Sequence, residues 1–253
     1  MGRRDRGVVL AGLLALAAIL LALAGAAAPR AVPTAPPAAD EVYAAARQRM
    51  LDEQIRARGV TDAAVLAAMA AVPRHLFVPE EERRDAYDDQ PLPIGAGQTI
   101  SQPYIVALMS SLLNLNSGSR VLEVGTGSGY QAAVLSRLAR EVYTIEIVKP
   151  LGERARRTLT ELGYKNVHVR IGDGYQGWRE AAPFDGIIVT AAPPSIPGPL
   201  MNQVKVGGKL VIPVGKTYQD LIVLTRRRDG GFDRESVLPV RFVPMTGQAQ
   251  GRP

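Results

Sequence analysis

Cysteine is absent from the 253 residues, and histidine occurs only twice, as His75 and His168. The first absence removes disulfides, zinc ribbons, thiol nucleophiles and thiolate-bound iron–sulfur clusters. The second leaves almost no raw material for a histidine-rich metal site or a histidine-driven nucleophilic triad, so no metal is expected. Aromatic residues are also scarce, at 5%, but the chain is 47% hydrophobic and 21% charged. That supply of apolar residues suffices for a core and excludes disorder of the whole chain. The formal charge of +6 is not gathered into a patch, and the one dense cluster is Arg226-Arg227-Arg228. It follows an apolar run and reads as a solvated strand end or turn. A nucleic-acid partner needs a concentrated basic face, so none is expected.

One long apolar run does occur, from Val8 to Ala28, just after Arg3, Arg4 and Arg6. About 21 residues are enough to cross a hydrocarbon core of roughly 30 Å as a helix. The basic flank and the small-residue ending Ala24-Gly25-Ala26-Ala27 equally fit a cleavable signal peptide. Residues 1–28 are therefore expected to be a signal peptide or a membrane anchor through residues 8–28, with the remainder exported to the periplasm or held at the membrane. A twin-arginine signal at Arg3-Arg4 fits less well. Residues 29–40 are rich in Ala and Pro and read as an extended, semi-rigid linker.

Asp40 to Arg58 carries apolar residues at helical spacing and stops near Gly59, a suitable C-terminal cap. Thr61 is expected to N-cap a second helix through Ala71, halted by Pro73. Pro79, Pro91 and Pro93 with Gly95 and Gly97 mark an irregular stretch before a helix over Tyr104–Leu115. Residues 41–115 thus form an N-terminal helical element. From 116 to 247 short apolar strands alternate with helices: strands at Val121–Val124, Val142–Ile145, Val167–Arg170, Gly186–Val189 and Leu210–Pro213, helices over Gln131–Leu138 and Leu151–Leu162. This alternation predicts an α/β fold with a doubly wound parallel sheet. Leu221–Arg226 and Val237–Val243, around Asp229-Gly230-Gly231, predict a closing antiparallel hairpin.

Between the first strand and its helix lies Glu123-Val124-Gly125-Thr126-Gly127-Ser128-Gly129-Tyr130. Ligands of open α/β sheets bind in the crevice beyond the strand ends, where glycines let the backbone approach and a helix N-terminus offers unpaired N–H groups. Such a loop alone is weak, since tight turns also need glycine. Glu146 ends the next strand about 20 residues on, where a carboxylate can accept both ribose hydroxyls. Asp173, followed by Gly174, ends the third strand, where it can accept from an adenine amino group. Three features at three successive strand ends point to an adenosine-containing cofactor. The nicotinamide fingerprint would place its third glycine where Tyr130 stands, and the Gly-Lys-Ser/Thr of a phosphate loop is missing. The G-x-G-x-G spacing resembles the S-adenosylmethionine loop of class I methyltransferases.

Leu92-Pro93-Ile94-Gly95-Ala96-Gly97-Gln98-Thr99-Ile100-Ser101-Gln102-Pro103-Tyr104 closely resembles the protein-L-isoaspartate O-methyltransferase family. So do Val72 to Pro79, Pro183 to Pro193, Gly207 to Gly215 and Arg241-Phe242-Val243-Pro244. The resemblance spans about Val42 to Met245. It implies a Rossmann-like methyltransferase sheet with N-terminal helices and a C-terminal antiparallel hairpin, with a catalytic core at 116–247. It also implies S-adenosyl-L-methionine as cofactor and a repair reaction: methylation of the α-carboxylate of L-isoaspartyl residues in damaged proteins. The ester then closes to a succinimide that reopens partly to aspartate. By position, Ser101 matches the active-site serine, with Thr99 and Ile100 beside it over the cofactor. Gly125, Thr126, Gly127 and Ser128 match the loop around the methionine moiety, Glu146 the ribose ligand, and Asp173-Gly174 the adenine side. Thr190-Ala191-Ala192 and Val243-Pro244 match the surroundings of the acceptor peptide. The family is typically cytoplasmic and soluble, a default from which the apolar leader departs; the chain is expected to work as a monomer.

The chemistry suits the composition. A carboxylate acceptor is ionised at neutral pH and needs no general base, which agrees with the poverty in histidine. Ser101 could donate one orienting hydrogen bond, or instead cap the helix that follows Pro103. Another S-adenosylmethionine enzyme acting on RNA or a small molecule, and a non-catalytic binding module on the same fold, are the competing functions. Thr190-Ala191-Ala192-Pro193-Pro194 lacks the acidic and aromatic residues of an amine methylase. His75 and His168 read as structural residues, and Trp178 as packing on the sheet or on the adenine edge.

Overall fold

In a computed structural model the described residues are 37–251, with side chains from residue 42. The signal or anchor expected at 1–28 and residues 29–36 of the expected linker lie outside them. Among the described residues no helix is long and apolar enough to cross a membrane.

Helix α1, Pro37–Arg49, begins inside the segment expected as linker and continues into a π-helical turn, Met50–Ile55, and a 3-10 turn, Arg56–Arg58. Gly59 ends the run at φ +89°, the left-handed cap that its position suggested. Helix α2, Ala63–Ala71, is capped by Asp62 rather than by Thr61. The Asp62 carboxylate accepts from the N–H groups of Ala64 (2.8 Å) and Val65 (3.1 Å), two of the four amides a helix leaves unpaired. The stretch rich in Pro and Gly is not irregular: β1, Leu92–Gly95, and β2, Gln98–Ile100, pair antiparallel. Gly95, Ala96 and Gly97 all take positive φ and make the reversal. Helix α3, Pro103–Leu112, follows.

The main sheet is built from β3 (Arg120–Val124), β4 (Glu141–Glu146), β5 (Val167–Ile171), β6 (Phe184–Val189), β7 (Val204–Val214), β8 (Gln219–Arg226) and β9 (Phe232–Val240). Its spatial order is β5-β4-β3-β6-β7-β8-β9. The first five are mutually parallel, and β7, β8 and β9 form an antiparallel meander. Helices α4 (Tyr130–Leu138) and α5 (Lys149–Glu161) link the first three strands, and α6 (Gly198–Asn202) precedes β7. β9 starts five residues earlier than its apolar part, because Asp233, Arg234, Glu235 and Ser236 form an exposed edge with no alternation to betray it.

Alternate strand residues feed two layers. Val121, Val142, Ile188 and Val211 join α2, α3, α4 and α5 on one face. Leu122, Ile145, Ile187 and Leu210 pack on the other with Ala181, Leu200 and Met245. All eight strand residues are essentially water-free, each worth about 1.5–3 kcal/mol of transfer free energy. The N-terminal helices share one cluster with the sheet, which holds the β1–β2 hairpin over the carboxyl ends of β3 and β4.

Candidate functional site

The loops after β3, β4 and β5 surround a cleft of about 830 Å³. Thr99, Ile100, Ser101, Gly125, Thr126, Gly127, Ser128, Glu146, Asp173 and Gly174 all line it, as do Thr190, Ala191, Val243 and Pro244 but not Ala192. The location is where open parallel sheets hold ligands.

Two glycines are required by geometry. Gly125 has φ +102°, and a Cβ there would fall 2.2 Å from Thr190 Oγ1. A Cβ on Gly174 would fall 2.4 Å from Val124 Cγ1. The Thr190 hydroxyl donates to the Gly125 carbonyl at 2.6 Å, so a residue at the end of β6 braces the loop after β3. Glu146 braces it from the other side: Oε2 accepts from Gly127 N–H at 2.7 Å and Oε1 from Val148 N–H at 2.9 Å. Each oxygen keeps a second lone pair for a hydroxyl donor. Asp173 likewise accepts from Tyr175 N–H (2.9 Å) and Gln248 N–H (2.8 Å). The second bond brings the segment after Met245 against the third strand end, and Met245 and Thr246 line the cleft.

Beneath the glycine loop lies a polar chain that the sequence reading did not single out. Thr144 donates to Glu123 Oε2, and its own oxygen stands 2.6 Å from Thr126 Oγ1, which therefore donates to it. Glu123 is fully buried and lines the cleft, and its Oε1 has no hydrogen-bond partner among the described residues. Burial pushes its carboxyl up to about 8, with the Thr144 bond pulling down and the Glu146 charge adding to the rise. The available signal was an acidic residue inside an otherwise apolar strand, directly before the glycines.

Ser101 does not cap α3. Gln102 holds the N-cap position without a side-chain bond, and Pro103 opens the helix. The hydroxyl is thus uncommitted to backbone, and Ser101 is half-buried. A second hollow, a groove bounded by Arg58, Pro91, Ile105, Leu238, Arg241 and Phe242, meets the cleft at Thr99, Ser101, Thr190 and Val243. Ser101 therefore stands where two cavities join. Of the residues read as structural, His75 is buried, stacks on Tyr43 (4.1 Å) and shares a hydrogen bond with Tyr87 (3.0 Å). His168 pairs with Glu141 on the exposed side of β5. Trp178 packs edge-on to Tyr143 and lies outside the cleft lining, so its contact is with the sheet.

The model of the protein-L-isoaspartate(D-aspartate) O-methyltransferase family matches residues 45–250. A protein-L-isoaspartate O-methyltransferase of Opitutus terrae is 59% identical over 201 residues, covering 79% of this chain and 86% of the relative. One from Gloeobacter violaceus is 60% identical over 199 residues, 78% of this chain and 97% of its own. Among solved structures, a protein-L-isoaspartate O-methyltransferase superposes with a TM-score of 0.72 at 30% identity, covering 80% of this chain and 67% of that one. A Plasmodium falciparum structure in complex with S-adenosyl-L-homocysteine superposes with a TM-score of 0.69 at 27% identity, covering 79% and 98%.

Proposed function

The chain belongs to the protein-L-isoaspartate O-methyltransferase family, and from that premise we propose that its cleft binds S-adenosyl-L-methionine while the adjoining groove receives an isoaspartyl segment of a damaged protein. The observation that carries this reading is the meeting of cleft and groove at an uncommitted Ser101 hydroxyl.

The residues present fit the cofactor. Gly125, Thr126, Gly127 and Ser128 line the cleft as one loop, in the place of the methionine moiety. Glu146 offers two carboxylate oxygens with spare lone pairs for ribose hydroxyls, and Asp173-Gly174 forms the adenine side. When bound, this cofactor supplies a methyl group on a positively charged sulfur. The protein's part is to bring an acceptor oxygen into line. That oxygen belongs to a carboxylate ionised near pH 7, so no side chain has to remove a proton. Ser101 donates one hydrogen bond that orients the carboxylate without neutralising it, and Thr99 and Ile100 lie beside it over the cofactor. Such positioning can contribute about 7–11 kcal/mol to lowering a barrier. The ester product closes by itself to a succinimide and reopens partly to aspartate.

In this reading the groove draws on both parts of the chain, with Arg58, Pro91, Ser101 and Ile105 from 41–115 and Thr190, Leu238, Arg241 and Phe242 from 116–247. The core at 116–247 supplies the glycine loop, Glu146 and Asp173 for the cofactor, and the chain works as a monomer. The apolar leader supports an exported or membrane-anchored setting. The test is methyl transfer to an isoaspartyl peptide beside its aspartyl twin. Only the isoaspartyl peptide should react, and Ser101→Ala should lower kcat roughly 10²-fold while leaving cofactor affinity nearly intact. Transfer to both peptides, or to neither, overturns the assignment.

A further inference from the structure

Arg74, in the 3-10 turn Arg74–Phe77 after α2, is a guanidinium with no exposed surface. Its Nε donates to the Ala86 carbonyl at 2.6 Å and its Nη2 to the Ser101 carbonyl at 2.7 Å. The group lies 4.8 Å from the centroid of the Tyr130 ring. Its Nη1 has no hydrogen-bond partner among the described residues, and the one carboxylate whose charge favours it, Asp89, is bonded to Arg58 rather than to it. An arginine stays charged, and a buried charge without a counter-ion is unfavourable to the fold. An apolar side chain of similar size would avoid burying the charge but would leave the Ala86 and Ser101 carbonyls without these donors. Departures from local rules of this kind cluster where function demands them.

What the guanidinium holds explains its presence. Ser101 lies between β2 and α3, in a segment with no regular hydrogen bonding of its own. Tyr130 is the first residue of α4, directly after the glycine loop. One rigid fork thus spans from the backbone of the acceptor-side serine to the start of the helix beneath the cofactor side. The fork is planar, so a flexible ammonium cannot reproduce both donors and the ring contact.

We propose that Arg74 is a positioning residue that, through the Ser101 carbonyl, aims the Ser101 hydroxyl into the junction of cleft and groove. This rests on the role assigned above to Ser101. A double-mutant cycle tests it, with wild type, Ser101→Ala, Arg74→Lys, Arg74→Met and the two combinations assayed for kcat, peptide KM, cofactor Kd and Tm. In the wild-type background Arg74→Lys should lower kcat on the order of 10²-fold, the loss expected from a displacement of about 1 Å, with cofactor Kd nearly unchanged. In the Ser101→Ala background the same change should lower kcat by no more than about twofold. Multiplicative losses, or a Kd that worsens in step with kcat, would make Arg74 a general scaffold residue and overturn the proposal alone. Wild-type turnover in Ser101→Ala would remove the role of Ser101 and that of Arg74 with it. Should Arg74→Met fail to fold, Arg74→Lys carries the cycle; a lysine variant with wild-type kcat would also overturn the proposal.

Discussion

Glu123 is the penultimate residue of β3, with one oxygen bonded by Thr144 and the other buried without a partner among the described residues. Its folded carboxyl sits at about 8 against an ordinary value of 4.5, chiefly through burial. Between those values the folded chain holds a proton that the unfolded chain has released. Stability from this group is therefore present at acid pH and falls as pH rises from about 4.5 to about 8. Tm measured across that window should decline more steeply for the wild type than for Glu123→Gln, whose amide cannot titrate; parallel curves would refute the assignment. At this scale the sequence was legible where a residue's chemistry is local. The glycine loop, the carboxylates at successive strand ends and the structural character of His75 and His168 all came from neighbours in the chain. The state of Glu123 and the freedom of Ser101 did not, because burial and hydrogen-bond partners are set by residues far away in sequence.

Helices and strands were legible by period and punctuation, less so at their limits. Gly59 stops the first helical run as glycine in the left-handed region should, yet that run widens into a π-helical turn that no spacing rule announced. Thr61 and Asp62 are both good caps; the choice fell on Asp62, whose carboxylate reaches two amides at once. Asp62→Ala should cost about 1 kcal/mol, visible as a Tm lower by roughly 2–4 °C, with kcat unchanged. The same substitution at Thr61 should leave Tm nearly unaltered. The β1–β2 hairpin escaped notice because its one proline and two glycines resemble a loop, and its pairing is three residue pairs long. That hairpin delivers Thr99, Ile100 and Ser101 to the cleft, so the element hardest to read is one that walls it.

For the molecule as a whole, a doubly wound sheet brings three successive strand ends together and lays the N-terminal segment across them. The leader at 1–28 lies outside the described residues. Its basic flank and apolar run are expected to direct the chain to the membrane or the periplasm. A variant lacking residues 1–28 should keep the kcat of the full chain on isoaspartyl peptide and move to the soluble cytoplasmic fraction. Retention of the full-length chain in that same fraction would count against export and anchoring alike.

The sequence by itself determined the alternation of strands and helices, the glycine loop with its two acidic partners, and the family signature around Ser101, since each depends on residues close along the chain. Only the tertiary structure decided that Ser101 carries no capping bond, that Glu123 is sealed away with a free oxygen, and that Arg74 reaches across 27 positions to hold the serine's backbone. Contacts of that kind arise when separate elements pack, and neither spacing nor composition encodes which distant groups will then face one another.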